Sequence, residues 1–408
     1  MIIHFWDLPK KRNYVLFNKE FKDSLLKFLE NKNCPKGAKK IRNRKIRIDK
    51  LMELSKKEGI PLETLEKNIC WIGGNNSKGL FNPKFPFNLS NRSGSRFIAA
   101  IFNDGTLTKN NSNSYGRLMY DNFDKSLRDS VIKDYLAIFG GNRNEIAFRE
   151  SEKKKYLEFT SIIRDVMELI LTKKGPKSEN NIKIPDFIFE NKENMIGWIE
   201  QTIADEGEIK YFPDKYRRAV VWRRSLDVTP VFKKIIKKEI SIRKLAPNLQ
   251  TVVQNQKCNL IESEKKILEV LGIKYRTYNL GVYPTITNKI RTRWQINIAG
   301  RKNLIRLRRM IKIPSKEKDA KLTKAIKGFV RYKEPLKIKR KIINICREKG
   351  IVNSNDLQKA RGYKKINNAS LWLKRFEKEG LIKVIKKSEY GGGGKQRSSA
   401  KYALIQRK

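Results

Sequence analysis

The sequence predicts an α+β protein in which one folding unit occurs twice, followed by a smaller unit of three helices and two strands. Two similar segments predict the duplication. At residues 96–105 and again at 195–207, an apolar run with small residues closes on a carboxylate and then a glycine. The two carboxylates, Asp104 and Glu206, lie 102 residues apart, which is the size of a small domain. The strands and helices predicted after each acid follow the same order.

Each carboxylate stands where a helix is predicted to end. A helix C-terminus carries a partial negative charge, so an acid there costs about 0.3–1 kcal/mol. The glycines that follow, Gly105 and Gly207, suit the left-handed conformation that often ends a helix. Both helices are apolar around nearly their whole circumference, which predicts burial. If they pack in parallel, Asp104 and Glu206 meet at one end, and the repeated arrangement predicts that the pair holds a cation.

Paired carboxylates predict a hard divalent cation. Mg²⁺ takes few protein ligands and keeps several waters, so two acids suit it. Such a site can hydrolyse a phosphodiester, because the metal activates water and stabilises the leaving oxygen. The single histidine of the sequence is His4. Histidine-dependent nucleases and Ser-His-Asp enzymes are therefore excluded.

The composition predicts a polyanionic partner. The 408 residues include 92 Lys and Arg but only 42 Asp and Glu, a formal net charge of +50. Such a charge favours nucleic acid, with an affinity that falls steeply with salt. A lysine-rich composition without functional meaning is the weaker explanation, because this charge is costly in a protein that binds no anion. The sequence has no apolar run that could span a bilayer, no signal-peptide pattern and no CxxC pair among its four cysteines. We therefore expect a cytoplasmic protein without a zinc site.

Shifts in composition divide the chain into five segments. These are a basic, mostly helical N-terminal region (1–90), a first repeat (91–172), a polar linker (173–190), a second repeat (191–314) and a C-terminal unit (333–408). In the N-terminal region, residues 48–69 are predicted to form two helices around Gly59 and Pro61. They form either a helix-turn-helix or an ordinary helical hairpin packed on the body.

Apolar periodicity and turn residues predict the elements of both repeats. After Asp104 we expect two strands (106–108 and 115–122), a helix (124–139), a strand (144–149) and a long helix (152–171). After Glu206 we expect strands at 208–212 and 217–226, a helix from Pro230, strands at 275–287 and 291–298, and a helix at 301–310.

The C-terminal unit carries a net charge of +16. Three predicted helices (338–348, 354–361 and 367–379) precede two strands (381–386 and 401–405) that flank a glycine-rich loop, a pattern typical of a winged helix-turn-helix. The third helix would then enter the major groove, and the loop would reach phosphates. The predicted DNA contacts are Lys364, Lys365, Asn367, Asn368, Lys374, Arg375, Lys395 and Arg397. Winged domains also bind proteins, and that alternative stays open.

Residues 97–105 and 199–207 resemble the nine-residue motif of the two-motif, single-chain LAGLIDADG homing endonucleases. Residues 184–188 before the second motif and 294–304 near the end of the second repeat are also similar to that family, and the resemblance covers residues 92–313. It implies two pseudo-symmetric αββαββα lobes that form a saddle, with strands in the DNA grooves. Such enzymes cut both strands across the minor groove.

By this match, Asp104 and Glu206 correspond to the metal-binding catalytic acids, with Mg²⁺ as the cofactor. The family also uses basic residues around the active site, for which Arg149 and Arg301 are our candidates. The residues and the resemblance together predict a sequence-specific, Mg²⁺-dependent endonuclease for double-stranded DNA. We expect it to act as a monomer, without a membrane partner or a small-molecule substrate. Two alternatives stay open: a non-cleaving DNA-binding transcriptional regulator and an RNA maturase on the same scaffold.

Overall fold

The computed structural model describes residues 1–32, 45–75, 77–108, 116–151, 154–171, 177–212, 217–232, 236, 238–328, 335–362, 366–386 and 399–405. The chain divides into two compact units, Met1–Gly328 and Phe329–Lys408. The first unit contains the N-terminal region and both repeats, and the finer boundaries predicted inside it stay a prediction. Within the described ranges, every helix is too short or too polar to cross a membrane.

The N-terminal region combines three helices with an antiparallel sheet that was not predicted. Four strands pair in the order β3-β2-β4-β5, and β1 pairs with β6. Asn13 pairs with Gly74, and four of the six strands have only two residues, too few to show the alternation that predicts a strand. The two helices predicted at 48–69 are present, and α2 packs on β2 and β3. The elements are β1 (Ile2–Ile3), β2 (Asn13–Phe17), α1 (Lys19–Asn31), β3 (Ile46–Arg47), α2 (Ile48–Glu58), α3 (Leu62–Lys67), β4 (Ile69–Gly74), β5 (Leu80–Phe81) and β6 (Phe87–Asn88).

The first repeat has the element order αββαββα. Its four strands form one antiparallel sheet in the order β7-β8-β10-β9. The predicted long helix at 152–171 was wrong in its first half, which is strand β10. Lys154–Glu158 contains good helix formers, but it pairs with both β8 and β9, and this tertiary pairing overrides local propensity. The elements are α4 (Arg92–Asn103), β7 (Gly105–Leu107), β8 (Leu118–Asp121), α5 (Lys125–Phe139), β9 (Ala147–Ser151), β10 (Lys154–Glu158) and α6 (Ser161–Ile170).

The second repeat has the same plan with an added edge strand. Its sheet order is β11-β12-β15-β14-β13. Without the edge strand β13, this order corresponds to β7-β8-β10-β9 in the first repeat. The helix predicted from Pro230 was wrong, because Thr229–Val231 is a single 3₁₀ turn and the helices follow later. The elements of this repeat and of the segments on either side of it are α7 (Lys177–Asn180), α8 (Lys192–Glu206), β11 (Glu208–Phe212), β12 (Arg217–Asp227), β13 (Ile240–Ser241), α9 (Pro247–Asn255), α10 (Asn259–Val270), β14 (Arg276–Pro284), β15 (Ile290–Ala299), α11 (Arg301–Met310) and α12 (Lys316–Lys327).

The strand register shows that the two repeats are equivalent. Thr106 pairs with Met119 between β7 and β8. Glu208 pairs with Val221 between β11 and β12. Both partners of the second pair are shifted by 102 residues from the first, which is also the spacing between Asp104 and Glu206. The hydrogen-bond ladder beside each acid is therefore the same in both halves.

The second unit contains three helices and a small antiparallel sheet. Its sheet order is β16-β18-β17, which adds one short strand to the two that were predicted. Its core is closed by apolar side chains from all three helices and two strands: Ile338, Ile342, Leu357, Leu373, Phe376, Ile382 and Tyr402. The elements are α13 (Pro335–Lys349), β16 (Val352–Asn353), α14 (Ser354–Arg361), α15 (Ile366–Lys378), β17 (Ile382–Lys386) and β18 (Lys401–Leu404).

Candidate active site

Helices α4 and α8 lie together at the centre of the first unit. Each begins at an asparagine, Asn91 or Asn191, whose side-chain oxygen accepts a hydrogen bond of 2.8 Å from the backbone N–H three residues later. Both helices are buried along most of their length. A Cβ atom at Gly197 would lie 2.4 Å from the carbonyl oxygen of Arg92. Glycine at this position therefore lets the two backbones approach closely.

A buried ion network joins the beginning of α4 to the middle of α8. Glu200 of α8 is fully buried and accepts hydrogen bonds from Arg92 Nε at 3.0 Å and Arg96 Nη1 at 3.3 Å, both from α4. Arg96 Nε also donates to Asp134 Oδ2 at 2.8 Å. The backbone N–H of Lys312 donates to the other oxygen of Glu200 at 2.5 Å. These contacts fix the helices in parallel.

The predicted pair of acids lies at the other end of the helix pair. The backbone N–H of Asp104 closes α4 on Ala100 O at 3.0 Å, and α8 ends at Glu206. The residues just before the acids touch, since Asn103 Nδ2 donates to Asp205 Oδ2 at 3.0 Å. Asp104 is half-buried and Glu206 is exposed. Two carboxylates from two helices are thus brought together within reach of solvent.

Glycine is required at positions 105 and 207, after the acids, for a different reason from the one predicted. Gly207 has φ −78°, and Gly105 is likewise outside the left-handed region. A Cβ at Gly105 would lie 2.5 Å from Ile101 O, and one at Gly207 would lie 2.3 Å from Ile203 O. Glycine is needed because each strand leaves its helix so steeply that a side chain would collide with the last helical turn.

A third carboxylate, Asp205, lies between the two repeats. It accepts hydrogen bonds from Asn103, from Tyr120 Oη at 2.7 Å and from Gln201 Nε2 at 2.9 Å. Burial and the neighbouring charge of Asp104 raise the pKa of Asp205 to about 7, although its three donors act in the opposite direction. From the sequence, Asp205 is only an alternative to the adjacent Glu206 as the second ligand, and its central position was not predicted.

Arg224 connects the ends of both helices. This residue of β12 is 5% exposed, and its guanidinium donates to Glu206 Oε1 at 3.1 Å and to Asn103 Oδ1 at 2.8 Å. Fully buried Glu264 of α10 holds the same guanidinium through contacts of 3.0 and 2.6 Å. Burial acts to lower the pKa of Arg224, but the ion pairs with Glu264 and Glu206 outweigh it and raise the pKa. Arg224 is therefore a fixed cation beside the second acid.

Lys318 of α12 lies against the C-terminus of α8. Its Nζ donates to Ala204 O at 2.6 Å and to Asp205 O at 3.3 Å. Burial lowers the pKa of Lys318, against the attraction of Asp205, Asp104 and other nearby acids. A cation at a helix C-terminus compensates the helix dipole, which offsets the cost of ending this helix on acids.

The predicted basic residues Arg149 and Arg301 lie elsewhere. Arg149 is on β9, at the opposite edge of its sheet from the strand that follows Asp104, and its described ion pair is with Glu158 at 3.8 Å. Arg301 opens α11 and is exposed. Neither has a described hydrogen bond or ion pair with the acids, and their catalytic roles stay predictions. Arg224 was not predicted, although the alternation of Trp222, Arg224 and Leu226 in a strand, which places an arginine on the core-facing side, was a signal that could have identified it.

The predicted DNA contacts of the second unit are described only in part. Asn367, Asn368, Lys374 and Arg375 lie on α15, and all but the half-buried Asn368 are exposed. Arg375 lies over the Trp372 ring at 5.1 Å and pairs with Glu379 at 2.7 Å. Lys364, Lys365, Lys395 and Arg397 lie outside the described residues.

The second repeat also presents a basic sheet face. Along β15, buried Ile290, Thr292 and Ile296 alternate with the more accessible Arg291 and Arg293. Alternation sends the two sets of side chains to opposite faces of the sheet. One face therefore closes the core, and the other carries positive charge.

The donor set at the helix ends suits a hard cation. Asp104 and Glu206 offer carboxylate oxygens from two rigid helices, and Mg²⁺ is often bound by one or two carboxylates plus waters. Within the described part of the chain, no three Asp, Glu, His or Cys side chains converge as a complete metal site. The residues thus fit an ion that takes part of its ligands from water or substrate.

The chain was compared with known proteins. No family model and no curated protein matches it. Among solved structures, it is similar to the N-terminal LAGLIDADG domain of DUF199/WhiA, with 11% identity, a TM-score of 0.28, and coverage of 55% of this chain and 84% of that one. It is also similar to the homing endonuclease I-WcaI bound to its DNA recognition sequence, with 12% identity, a TM-score of 0.31, and coverage of 57% and 87%. At TM-scores this low, function has to be inferred from the residues of this chain.

Proposed function

We propose that this chain is a double-stranded DNA endonuclease of the LAGLIDADG homing type. One observation carries the proposal: α4 and α8 run in parallel, and Asp104 and Glu206 end them at the same place. Carboxylates repel phosphates, so a protein that only binds DNA gains nothing from this pair. The shared sheet order of the two repeats and the net charge of +50 support the proposal.

The acids would act through a bound metal. Asp104 and Glu206 would hold Mg²⁺, which supplies a hydroxide nucleophile and stabilises the leaving oxygen. Arg224 sets the direction of the Glu206 carboxylate, because buried Glu264 holds its guanidinium in place. Lys318 offsets the negative charge at the end of α8. In this mechanism, Arg224 and Lys318 are the basic residues of the centre.

DNA binding would involve both units. The exposed face of β15, with Arg291 and Arg293, would neutralise phosphates beside the acids. The second unit would extend the target site as a winged helix-turn-helix, with Lys374 and Arg375 of α15 in the major groove. Because both acids belong to one chain, a monomer suffices for cleavage.

The test is cleavage of a randomised duplex library with Mg²⁺ or with EDTA. The matched control is the double variant D104N/E206Q, whose fold is checked by circular dichroism. We expect discrete Mg²⁺-dependent products from the wild type and none from the variant. Equal cutting by both proteins would remove the acids from the mechanism.

The same experiment separates the two alternatives. Tight, salt-sensitive DNA binding without cutting by either protein would identify a regulator. A parallel arm with structured RNA tests the maturase, which predicts stronger binding to RNA than to duplex DNA at matched salt.

A further inference from the structure

The outward face of the first repeat's sheet carries a cluster of two arginines around one acid. Glu158 of β10 lies 3.4 Å from Arg117 Nε through Oε1 and 3.8 Å from Arg149 Nε through Oε2. Buried Leu118 and Leu157 alternate with these positions and face the core. The arginine side chains are 60% and 61% exposed, whereas Glu158 is 19% exposed. One partly buried carboxylate therefore holds two largely exposed arginines.

The equivalent positions of the second repeat, found from the strand register, carry uncharged residues. They are Ala219 for Arg117, Tyr278 for Arg149 and Asn297 for Glu158. Glu158 pairs with Met119, for example, and Asn297 pairs with Val221, which lies 102 residues after Met119. Asn297 shares its sheet face with Arg293. The cluster thus occupies, in the first repeat, the face proposed above to meet DNA.

The N-terminal region borders the cluster. Ser77 and Lys78 line a cavity of about 240 Å³ together with the three residues of the cluster. The charged residues that line this cavity are four cations and two acids: Lys78, Arg117, Arg149, Arg164, Glu145 and Glu158. Arg164 is already paired with Glu168 of its own helix. A surface that only neutralises phosphates gains nothing from the two carboxylates, because they repel phosphate.

Base edges, in contrast, suit a mixture of donors and carboxylates. In the major groove, guanine offers the acceptors O6 and N7, and arginine donates to both in the commonest specific contact. Such a contact needs a guanidinium of fixed direction, since the planar fork must match two acceptors at once. Glu158 supplies that restraint to both arginines of the cluster.

We propose that Arg117 and Arg149 are specificity-determining residues that read guanine in the half of a DNA site bound by the first repeat, with Glu158 as their positioning residue. The uncharged residues at the equivalent positions make a different contact, so the target site is not palindromic. The two contacted base pairs lie within about three steps of each other, because one carboxylate holds both guanidinium groups and base pairs are ~3.4 Å apart. This inference rests on the proposed binding of DNA, but not on its cleavage.

The test measures binding in EDTA, which prevents metal-dependent cutting. Duplexes that bind the full wild-type chain are selected from a randomised library, and affinities for the selected duplex and its single-base-pair variants are measured by fluorescence anisotropy. We expect replacement of one G·C pair to weaken wild-type binding about tenfold, as loss of a bidentate arginine contact does. R149A should bind both duplexes equally, and R117A should lose discrimination at a second G·C pair in the same half.

Other outcomes would overturn the proposal. Losses by R117A and R149A that are equal on every duplex, with a weaker salt dependence, would identify phosphate contacts. Unchanged binding by both variants, binding without sequence preference, or a palindromic selected site would also contradict it. If the arginines determine base preference but the wild type cuts no DNA with Mg²⁺, the endonuclease function fails and this inference stands. Cutting of a site whose recognition does not depend on the arginines gives the reverse.

E158Q tests the positioning role. The variant gains one net positive charge, so its affinity for unselected duplex should rise. Its discrimination at the two G·C pairs should nevertheless fall by about threefold or more, because the arginines lose their restraint. A rise in affinity with unchanged discrimination would mean that Glu158 does not position them. The control is R143A, since Arg143 is 65% exposed, belongs to the same repeat and pairs with Asp129 at 3.2 Å. It should leave discrimination unchanged.

Discussion

The two ends of the α4–α8 pair contain the same kinds of side chains in different balance. Where the beginning of α4 packs against the middle of α8, the buried carboxylates Glu200 and Asp134 meet the guanidinium groups of Arg92 and Arg96. At the other end, the charge of Asp104 acts on Asp205, and Glu206 pairs with Arg224, whose charge is already shared with Glu264. One end is neutralised from within the chain, and the other retains an excess of negative charge.

The paired charges contribute to stability, whereas the acids with excess negative charge are suited to function. Charges that are paired and hydrogen-bonded hold the helices in register. Acids that remain under-compensated are a cost to the folded state, and such costs are typical of functional sites. The comparison predicts that equivalent substitutions at the two ends have opposite effects on the free energy of unfolding.

The largest effect is expected at Glu200. Glu200→Gln leaves Arg92 and Arg96 without their buried partner, and breaking a buried pair costs about 3–5 kcal/mol. Urea unfolding measures this loss. The control is Glu193→Gln, since Glu193 also pairs with Arg92 but is 58% exposed, and its loss should stay below about 1 kcal/mol. Similar losses in both variants would show that the buried network does not hold the helices.

A smaller effect is expected at Lys318. Lys318→Met removes the cation at the end of α8, which is worth up to about 2 kcal/mol in a partly buried setting. Lys316→Met, at an exposed position of the same helix, is the control and should be nearly neutral. In a D104N background the loss should shrink, because fewer negative charges then need compensation. An unchanged loss would mean that Lys318 acts through packing alone.

The next effect depends on pH. Asp124 caps α5 and accepts a hydrogen bond from Ser315 Oγ at 3.0 Å, which ties the first repeat to the segment before α12. Burial acts to raise the pKa of Asp124, but hydrogen bonds from Ser126 and Ser315 outweigh it and lower the pKa below its ordinary value of 3.8. Its contribution is therefore present above that value and is lost as the pH falls through the folded pKa.

Asp124→Ala should cost about 1 kcal/mol at pH 7, as loss of a helix cap does. Unfolding of both proteins at a series of pH values measures the difference, which should vanish at the acid end. A difference that persists in acid would show that the carboxylate charge is not what stabilises the cap.

The smallest effect has the opposite sign. Asp104→Asn removes the charge that helps to raise the pKa of Asp205, so in EDTA it should leave stability unchanged or raise it by about 0.5 kcal/mol. Thermal unfolding at pH 8, above the pKa of about 7 of Asp205, measures the change. A clear loss of stability would mean that Asp104 is a structural acid like Glu200.

The sequence predicted the paired helices and their acids because both depend on local patterns. The apolar runs, the terminal carboxylates and the glycines lie next to one another in the chain. Lys318 could not be predicted in the same way, because it approaches α8 from a helix beyond the second repeat. The N-terminal sheet was missed for the same reason, since its strands pair across long stretches of chain.

Arg224 could be predicted from the sequence only in part. The alternation of β12 places Trp222, Arg224 and Leu226 on the buried face, and an arginine there requires a partner. The sequence therefore contained a signal for Arg224, but Glu264, which completes the interaction, lies 40 residues later on another helix. For Gly105 and Gly207, the sequence predicted a left-handed conformation, and the structure shows that this was wrong.

Arg224, which donates to Glu206, has as its counterpart Asn122, which donates to Asp104 from the position 102 residues earlier. This difference between the repeats has a consequence for how such a protein can evolve. In an assembly of two identical subunits, every substitution appears twice, once on each side of the symmetry axis. Covalent fusion of two copies into one chain removes that restriction, so one half can gain an arginine while the other keeps an amide. The residue types at positions 122 and 224 can therefore change independently of each other.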